Sequence, residues 1–297
     1  MTKLILVDGN AAIHRAYHAM PPMRSPKGEP VSVVHGVVSM LLVLIERLAP
    51  THIAFCFDRP EQTFRQKKLV TYQSHRPPME EDLSSQFEKV YDVLTAMKIP
   101  QYSLAGFEAD DMIGTIAQCS EVDEVIIVTG DRDILQLVND KVKLYMPVKG
   151  MSEGKIYGDA EVMERLGVLP KNIVDYKALV GDPSDNYPGV PGIGPKTALT
   201  LINQYGSFHE IYKHLDEISK STKAKLEKGK ESGELSYELA TIVKDCDIVF
   251  SLKEASAWDI DAPEAMKIFE EYGFKSLPER VKKLGQKLDQ NMQGSLF

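Results

Sequence analysis

The chain has 297 residues, 43% of them hydrophobic and 26% charged, with a formal net charge of −8. These proportions exclude a disordered, collagen-like or coiled-coil chain. The longest mostly apolar stretch, Val37 to Ile45, is far short of the ~20 residues a membrane span needs. Asp8 interrupts the N-terminal apolar run before a secretory h-region can form, so a soluble cytoplasmic protein without membrane contact is expected. Cys56, Cys119 and Cys246 lack Cys-x-x-Cys spacing and read as core thiols, not as a zinc site or disulfide framework.

In chain order, Lys3 to Val7, Ile53 to Phe57, Val125 to Thr129 and Val142 to Tyr145 read as strands, two of them apolar on both faces as in a buried parallel sheet. Helical patterns run from Val31 to Leu48, Glu81 to Met97 and Ala109 to Cys119, the last opening with acids where the helix dipole favours them. The alternation predicts an α/β domain with a mostly parallel sheet and helices on both faces. From about Asp159 the β signal fades into short amphipathic helices punctuated by prolines. The lysine-rich stretch Lys220 to Lys230 reads as a solvated helix face, or as one that touches a phosphate backbone. The expected boundaries are an α/β domain over 1–180, a helical part over 181–288 and a flexible tail over 289–297.

The aspartates carry the functional signal. Asp8, Asp58, and Asp131 with Asp133 stand at or just past the ends of predicted strands, the edge of an open α/β sheet where ligands bind. Glu108, Asp110 and Asp111 open a predicted helix, and Asp182 and Asp185 lie in a loop. Each group alone reads equally well as a turn or a helix cap. Nine carboxylates on five segments brought to one edge would repel unless cations lay between them. Oxygen ligands without histidine or cysteine suit two Mg²⁺ or Mn²⁺ ions, and two ions about 4 Å apart form the clamp used for in-line phosphodiester displacement. Setting these nine aside leaves the rest of the chain close to neutral, so the acidic balance does not argue against a nucleic-acid substrate.

Two further constellations point the same way. In Gly189-Val-Pro-Gly192-Ile-Gly194-Pro195-Lys196, closely spaced glycines let backbone approach a phosphate, and the helix starting near Pro195 directs free N–H groups outward, as in a helix-hairpin-helix grip on duplex. Between Asp58 and Pro78 the basic residues Arg65, Lys67, Lys68 and Arg76 interleave with Phe64 and Tyr72, the mix expected where a strand is steered and a base stacked.

Together with Arg15-Ala-Tyr17-His18, these motifs resemble those of bacterial 5′ nucleases of the flap endonuclease superfamily, the kind found at the N-terminus of DNA polymerase I and as stand-alone 5′–3′ exonucleases. The resemblance covers nearly the whole chain and weakens after about Asp261. It implies a PIN-like nuclease domain, a helical arch over about 60–95 threaded by a single-stranded 5′ end, and a helix-three-turn-helix gripping downstream duplex. By this pattern Asp8, Asp58, Glu108 and Asp110 surround a first metal ion. Asp131, Asp133 and Asp185 hold a second, with Asp111 and Asp182 as further acids. Carbonyls of Val190 and Ile193 would face a K⁺ ion bridging to a duplex phosphate. Arg15, Arg65, Lys67, Lys68, Tyr72, Gln73, Arg76, Gly189, Gly192, Gly194 and Lys196 would contact DNA. The implied partner is branched or nicked duplex with a 5′ single strand or RNA primer, met by a monomer at the nucleoid.

One departure is visible. The arch of bacterial members reads Tyr-Lys-x-x-Arg, whereas this chain reads Tyr72-Gln73-Ser-His75-Arg76, so the lysine expected at the scissile phosphate is missing. The C-terminal Gln293-Gly-Ser-Leu296-Phe297 resembles peptides that dock in the groove of the bacterial sliding clamp, two apolar anchors and a glutamine on an extended segment. Competing readings are a PIN-type single-strand ribonuclease, which has little use for the glycine hairpin, and a DNA-binding relative with weakened catalysis.

Overall fold

The computed structural model describes residues 1–149 and 153–294. It begins with β1 (Lys3–Asp8), α1 (Gly9–Ala19), α2 (Ser32–Leu48) and β2 (His52–Cys56). The short helices α3 (Phe64–Lys68) and α4 (Glu81–Ser84) precede α5 (Phe87–Ala96), β3 (Gln101–Tyr102), α6 (Ala109–Cys119) and β4 (Glu124–Val128). Strands β5 (Val142–Lys149) and β6 (Glu153–Tyr157) lead into α7 (Asp159–Leu166), α8 (Ile173–Val180) and α9 (Pro195–Tyr205). The chain ends in α10 (Phe208–Lys213), α11 (Lys220–Lys228), α12 (Lys230–Ala240), α13 (Leu252–Ala255), α14 (Pro263–Glu271) and α15 (Leu277–Gly294).

The strands form one sheet in the order β3-β2-β1-β4-β5-β6, parallel except for the β5/β6 pair. Successive strands move outward from β1 on one side and then, from β4, on the other. The C-terminal edge beside β1 is therefore a topological switch point, where crossovers diverge and leave a crevice.

Period-two alternation divides the core into two layers. Leu4, Leu6, Val125 and Ile127 face one cluster with α6 and the helices from α7 to α11. Ile5, Val7, Ile126 and Val128 face the other, with α1, α2, α5, α14 and α15. The expected separation at residue 180 is thus not a break in the core: α14 and α15 return to the sheet's opposite face.

Three local expectations change. The helix expected over Glu81 to Met97 is two helices, because buried Gln86 accepts from the Val33 N–H at the start of α2 (2.8 Å) and donates to Asp82 O (2.8 Å). From Phe87 onward the segment is a core helix with Val90, Val93 and Leu94 buried, so the part standing over the sheet edge ends well before residue 95. The helix expected to stop before residue 289 continues to Gly294, since Leu277, Val281 and Leu284 repeat at helical spacing against the core. The candidate clamp anchors Leu296 and Phe297, and the side chain of Gln293, lie outside the described residues.

Candidate functional site: an acidic edge with two unequal halves

The ends of β1 and β2 and the loop after β4 bring Asp8, Asp58 and Asp131 to one edge, and the first turn of α6 adds Glu108 and Asp110. All five line one cavity of about 750 Å³. Asp8 caps α1, accepting from Ala11 N (2.9 Å), and receives the Thr129 hydroxyl (2.7 Å). Its neighbour Gly9 is required there, because a Cβ would fall 2.0 Å from the Phe57 ring. Asp58 accepts from Ala109 N (2.7 Å) at the α6 N-terminus, while its own N–H donates to Asn10 (3.0 Å).

Asp8, Asp58, Glu108 and Asp110 lean toward their protonated forms. Burial, and then Asp58 and Asp131, push Asp8 up to about 6. Burial, with Asp131 and Asp8 beside it, raises Asp110 well above the carboxylate range. Asp58 is raised chiefly by burial. Burial pushes Glu108 up to about 7 against the opposing pull of Arg65. Carboxylates held at close quarters by strand ends and a helix start cannot move apart, so a cation would relieve the repulsion.

The second half is arranged differently. Asp133, Asp182 and Asp185 each present an oxygen within 4.8 Å of the others. The loop that carries the last two folds back tightly: Asp182 and Tyr187 exchange backbone hydrogen bonds (2.9 and 3.1 Å). Gly181 and Gly189 have φ of +74° and +64°, and a Cβ at Gly189 would lie 2.2 Å from Gly181 N. Here the acids already have partners. Lys177 bonds both Asp133 and Asp182. Asp185 accepts from Gln73 Nε2 (2.9 Å) and Arg76 Nη2 (2.8 Å) on one oxygen and from the Tyr72 hydroxyl (3.3 Å) on the other. Burial opposes the Lys177 ammonium, but Asp133 and Asp182 hold its pKa above the lysine range. Burial would raise Asp182, yet Lys177 and Ser184 outweigh it and hold it low.

Eight of the nine expected acids therefore face this edge, and Asp111 does not. It is fully buried, and both its oxygens are bound bidentately by Arg65 (2.8 and 2.9 Å). Arg65, itself 2% exposed, is correspondingly removed from any DNA. Tyr72 is also corrected: its ring is buried and stacked on Tyr187, 6.5 Å between centroids, so it walls the site instead of offering a stacking face. Gly189 is not a phosphate contact, since its N–H donates to Ser236 Oγ (2.9 Å) and its carbonyl accepts from Ser232 Oγ (2.6 Å).

The remaining basic residues are placed as follows. Lys67 is exposed on α3, and Lys68 pairs with Glu238. Arg15 is half-buried on α1. Gly192, Gly194 and Lys196 are exposed at the start of α9, whose Pro195 stands at the first helical position. Val190 and Ile193 are buried in the hairpin, where the Val190 carbonyl accepts from Ile193 N (3.0 Å). Sequence reasoning missed Thr129, which fixes Asp8, and Lys177 on α8, which pairs with Asp133 and Asp182.

The donor set, all carboxylate oxygen with several protons held unusually tightly, fits hard divalent cations. Residues 3–167 match the family described as 5′-3′ exonuclease, N-terminal resolvase-like domain, and residues 168–263 its partner, 5′-3′ exonuclease, C-terminal SAM fold. The chain belongs to the 5′-3′ exonuclease family. It is 36% identical to a 5′-3′ exonuclease of Bacillus subtilis, the match covering 95% of this chain and 97% of that protein. It is 38% identical to DNA polymerase I of the same organism over 94% of this chain, and spans only 32% of that longer protein. The fold is that of a T5 5′-exonuclease solved with divalent zinc bound, with TM-score 0.67, 21% identity, and 95% of this chain and 98% of that one covered. It is also that of the catalytic core of Rad2 in complex with DNA substrate, with TM-score 0.61, 20% identity, and 95% and 93% covered.

Proposed function

We propose that this member of the family is a structure-specific 5′ nuclease that hydrolyses DNA phosphodiesters at 5′ flaps, nicks or RNA primers, using two Mg²⁺ or Mn²⁺ ions. The observation that carries the reading is convergence: acids from β1, β2, α6, the β4 loop and the 182–185 loop meet at one edge, beside a glycine hairpin that opens a helix toward solvent.

Asp8, Asp58, Glu108 and Asp110 would hold one ion, and Asp131, Asp133, Asp182 and Asp185 the other. Bound divalent ions supply a polarised water and offset charge on the phosphate. The chain's own groups do the rest. Thr129 and the α1 N-terminus orient Asp8, and the α6 N-terminus orients Asp58. Arg76, exposed beside Asp185, is placed to pair with a phosphate, and the free N–H groups at the start of α9 suit the backbone of a downstream duplex. Backbone carbonyls of the same hairpin, Val190 and Ile193, are the K⁺ ligands we assign.

The test is cleavage of a labelled 5′-flap duplex beside the same single strand, with Mg²⁺, Mn²⁺ or EDTA. Cuts near the flap junction that need both duplex and metal are expected. Cleavage of the free strand alone would transfer the reading to a single-strand ribonuclease, and binding without cleavage would make this a DNA-binding relative.

A further inference from the structure

Arg65 is the most heavily engaged side chain near the site, and the proposed chemistry gives it no task. Its Nη1 donates to Asp111 Oδ2 (2.8 Å) and Glu108 Oε2 (3.1 Å), and its Nη2 to Asp111 Oδ1 (2.9 Å) and Thr241 O (2.8 Å). Its Nε donates to Leu239 O (2.9 Å), and the guanidinium lies 4.5 Å from the centroid of the Phe64 ring. A planar fork with fixed donors suits such a junction, and an ammonium would not reproduce it.

The partners come from three parts of the molecule. Phe64 and Arg65 sit at the base of the segment standing over the site. Glu108 and Asp111 are the first turn of α6. Leu239 and Thr241 flank the end of α12, the helix whose Ser232 and Ser236 grip Gly189 of the hairpin. Asp111 reinforces the joint by accepting from Glu108 N (3.1 Å) and Val243 N (2.9 Å). A buried charge pair is weak grounds for stability, because apolar residues of similar volume often serve as well. What they cannot do is hold one oxygen of Glu108.

We propose that Arg65, locked by Asp111, is a positioning residue. It fixes the Glu108 carboxylate for its metal ion and ties that carboxylate to the helix end beneath the glycine hairpin. This rests on the reading of Glu108 as a metal ligand, and it places Arg65 with the metal, not with DNA. Partners that orient a ligand in this way are typically worth about 10–100-fold in metal affinity or activity.

The experiment uses the full chain and the double variant Arg65→Met/Asp111→Leu, which removes both buried charges together. Thermal melting reports folding. Binding of Mn²⁺ is read from the electron paramagnetic resonance signal of the free ion, and binding of 5′-flap duplex is measured in Ca²⁺. Single-turnover cleavage is followed in Mn²⁺.

A cooperatively melting double variant that binds flap duplex within about threefold of the parent, yet binds Mn²⁺ and cleaves roughly 10–100-fold more weakly, is the expected result. Mn²⁺ affinity and rate within threefold of the parent would overturn the proposal, as would a loss confined to DNA affinity. If the double variant does not fold, Arg65→Lys decides the matter by the same measurements, because it keeps the charge and loses the fork. A parent chain that binds Mn²⁺ but cleaves nothing would defeat the functional reading, while the Mn²⁺ comparison would still judge Arg65.

Discussion

Asp8, Asp58, Glu108 and Asp110 stand on strand ends and a helix start, and of these four Arg65 bonds Glu108 (3.1 Å). Asp133, Asp182 and Asp185 sit on a 3₁₀ turn and a loop, each already bonded to Lys177, or to Gln73 and Arg76. The first half meets its repulsion by holding protons; in the second, Lys177, Gln73 and Arg76 bond the acids, while burial still raises Asp133 to about 6. On the proposed function, a metal entering the first half would displace protons, and one entering the second would displace side chains and the Asp133 proton. The overlying segment 71–76 is tied to the second half through Asp185 and through the bond from Asn186 to Thr71 O (2.8 Å). On the proposed function, a phosphate that drew Arg76 away would also loosen Asp185.

The sharpest way to break this contrast is Asp110→Asn. Cleavage of a flap duplex should fall by about 10²–10³-fold, while the metal-free protein melts at a higher temperature, because folding no longer has to take up a proton on this buried carboxyl. A lower metal-free melting temperature would mean that the first half is not strained. Lys177→Met should act in the opposite sense. Removing one partner of a buried pair costs about 3 kcal/mol, roughly 5 °C in a domain of this size. Millimolar Mg²⁺ should restore most of that loss, and calorimetry with and without EDTA checks both statements.

The pH dependence of the metal-free protein sharpens the comparison further. A carboxyl whose pKa is raised by folding holds its proton more tightly in the folded state, so stability rises as pH falls through that pKa and is lost as pH climbs. With Asp8 and Asp133 near 6 and Glu108 near 7, melting in EDTA should be on the order of 5 °C higher at pH 5.5 than at pH 8. Saturating Mg²⁺ should flatten or invert the difference. The smallest effect is expected at the overlying segment. Gln73→Lys, which replaces an amide on Asp185 with a cation able to meet a phosphate, should raise single-turnover cleavage by about threefold. An unchanged rate would show that position 73 serves Asp185 only.

Much of this was legible in the residues. Helix α6 was bounded correctly because its acids, apolar spacing and flanks agree, and the start of α9 was placed because Pro195 marks it. Eight site acids were legible because strand ends and helix starts are visible as local patterns. Arg65, Asp111 and Tyr72 were misread because their types suit both a solvent-facing and a buried role, and burial depends on what crosses over them. The partner that removes Arg65 from solvent lies 174 residues away at Leu239. The two-residue strand β3 was missed because its sheet bonds, Phe55 N to Pro100 O and Phe57 N to Tyr102 O, leave no period in so short a run.

By itself the sequence determined the layered α/β core, the carboxylates at the ends of its strands and the glycine hairpin, since each follows from spacing within a few residues. Only the tertiary structure decided which acids remain repelled and which are already answered by Lys177, Gln73, Arg76 and Arg65. Charge pairing depends on distances of a few ångströms between groups far apart in the chain, and no local periodicity records them.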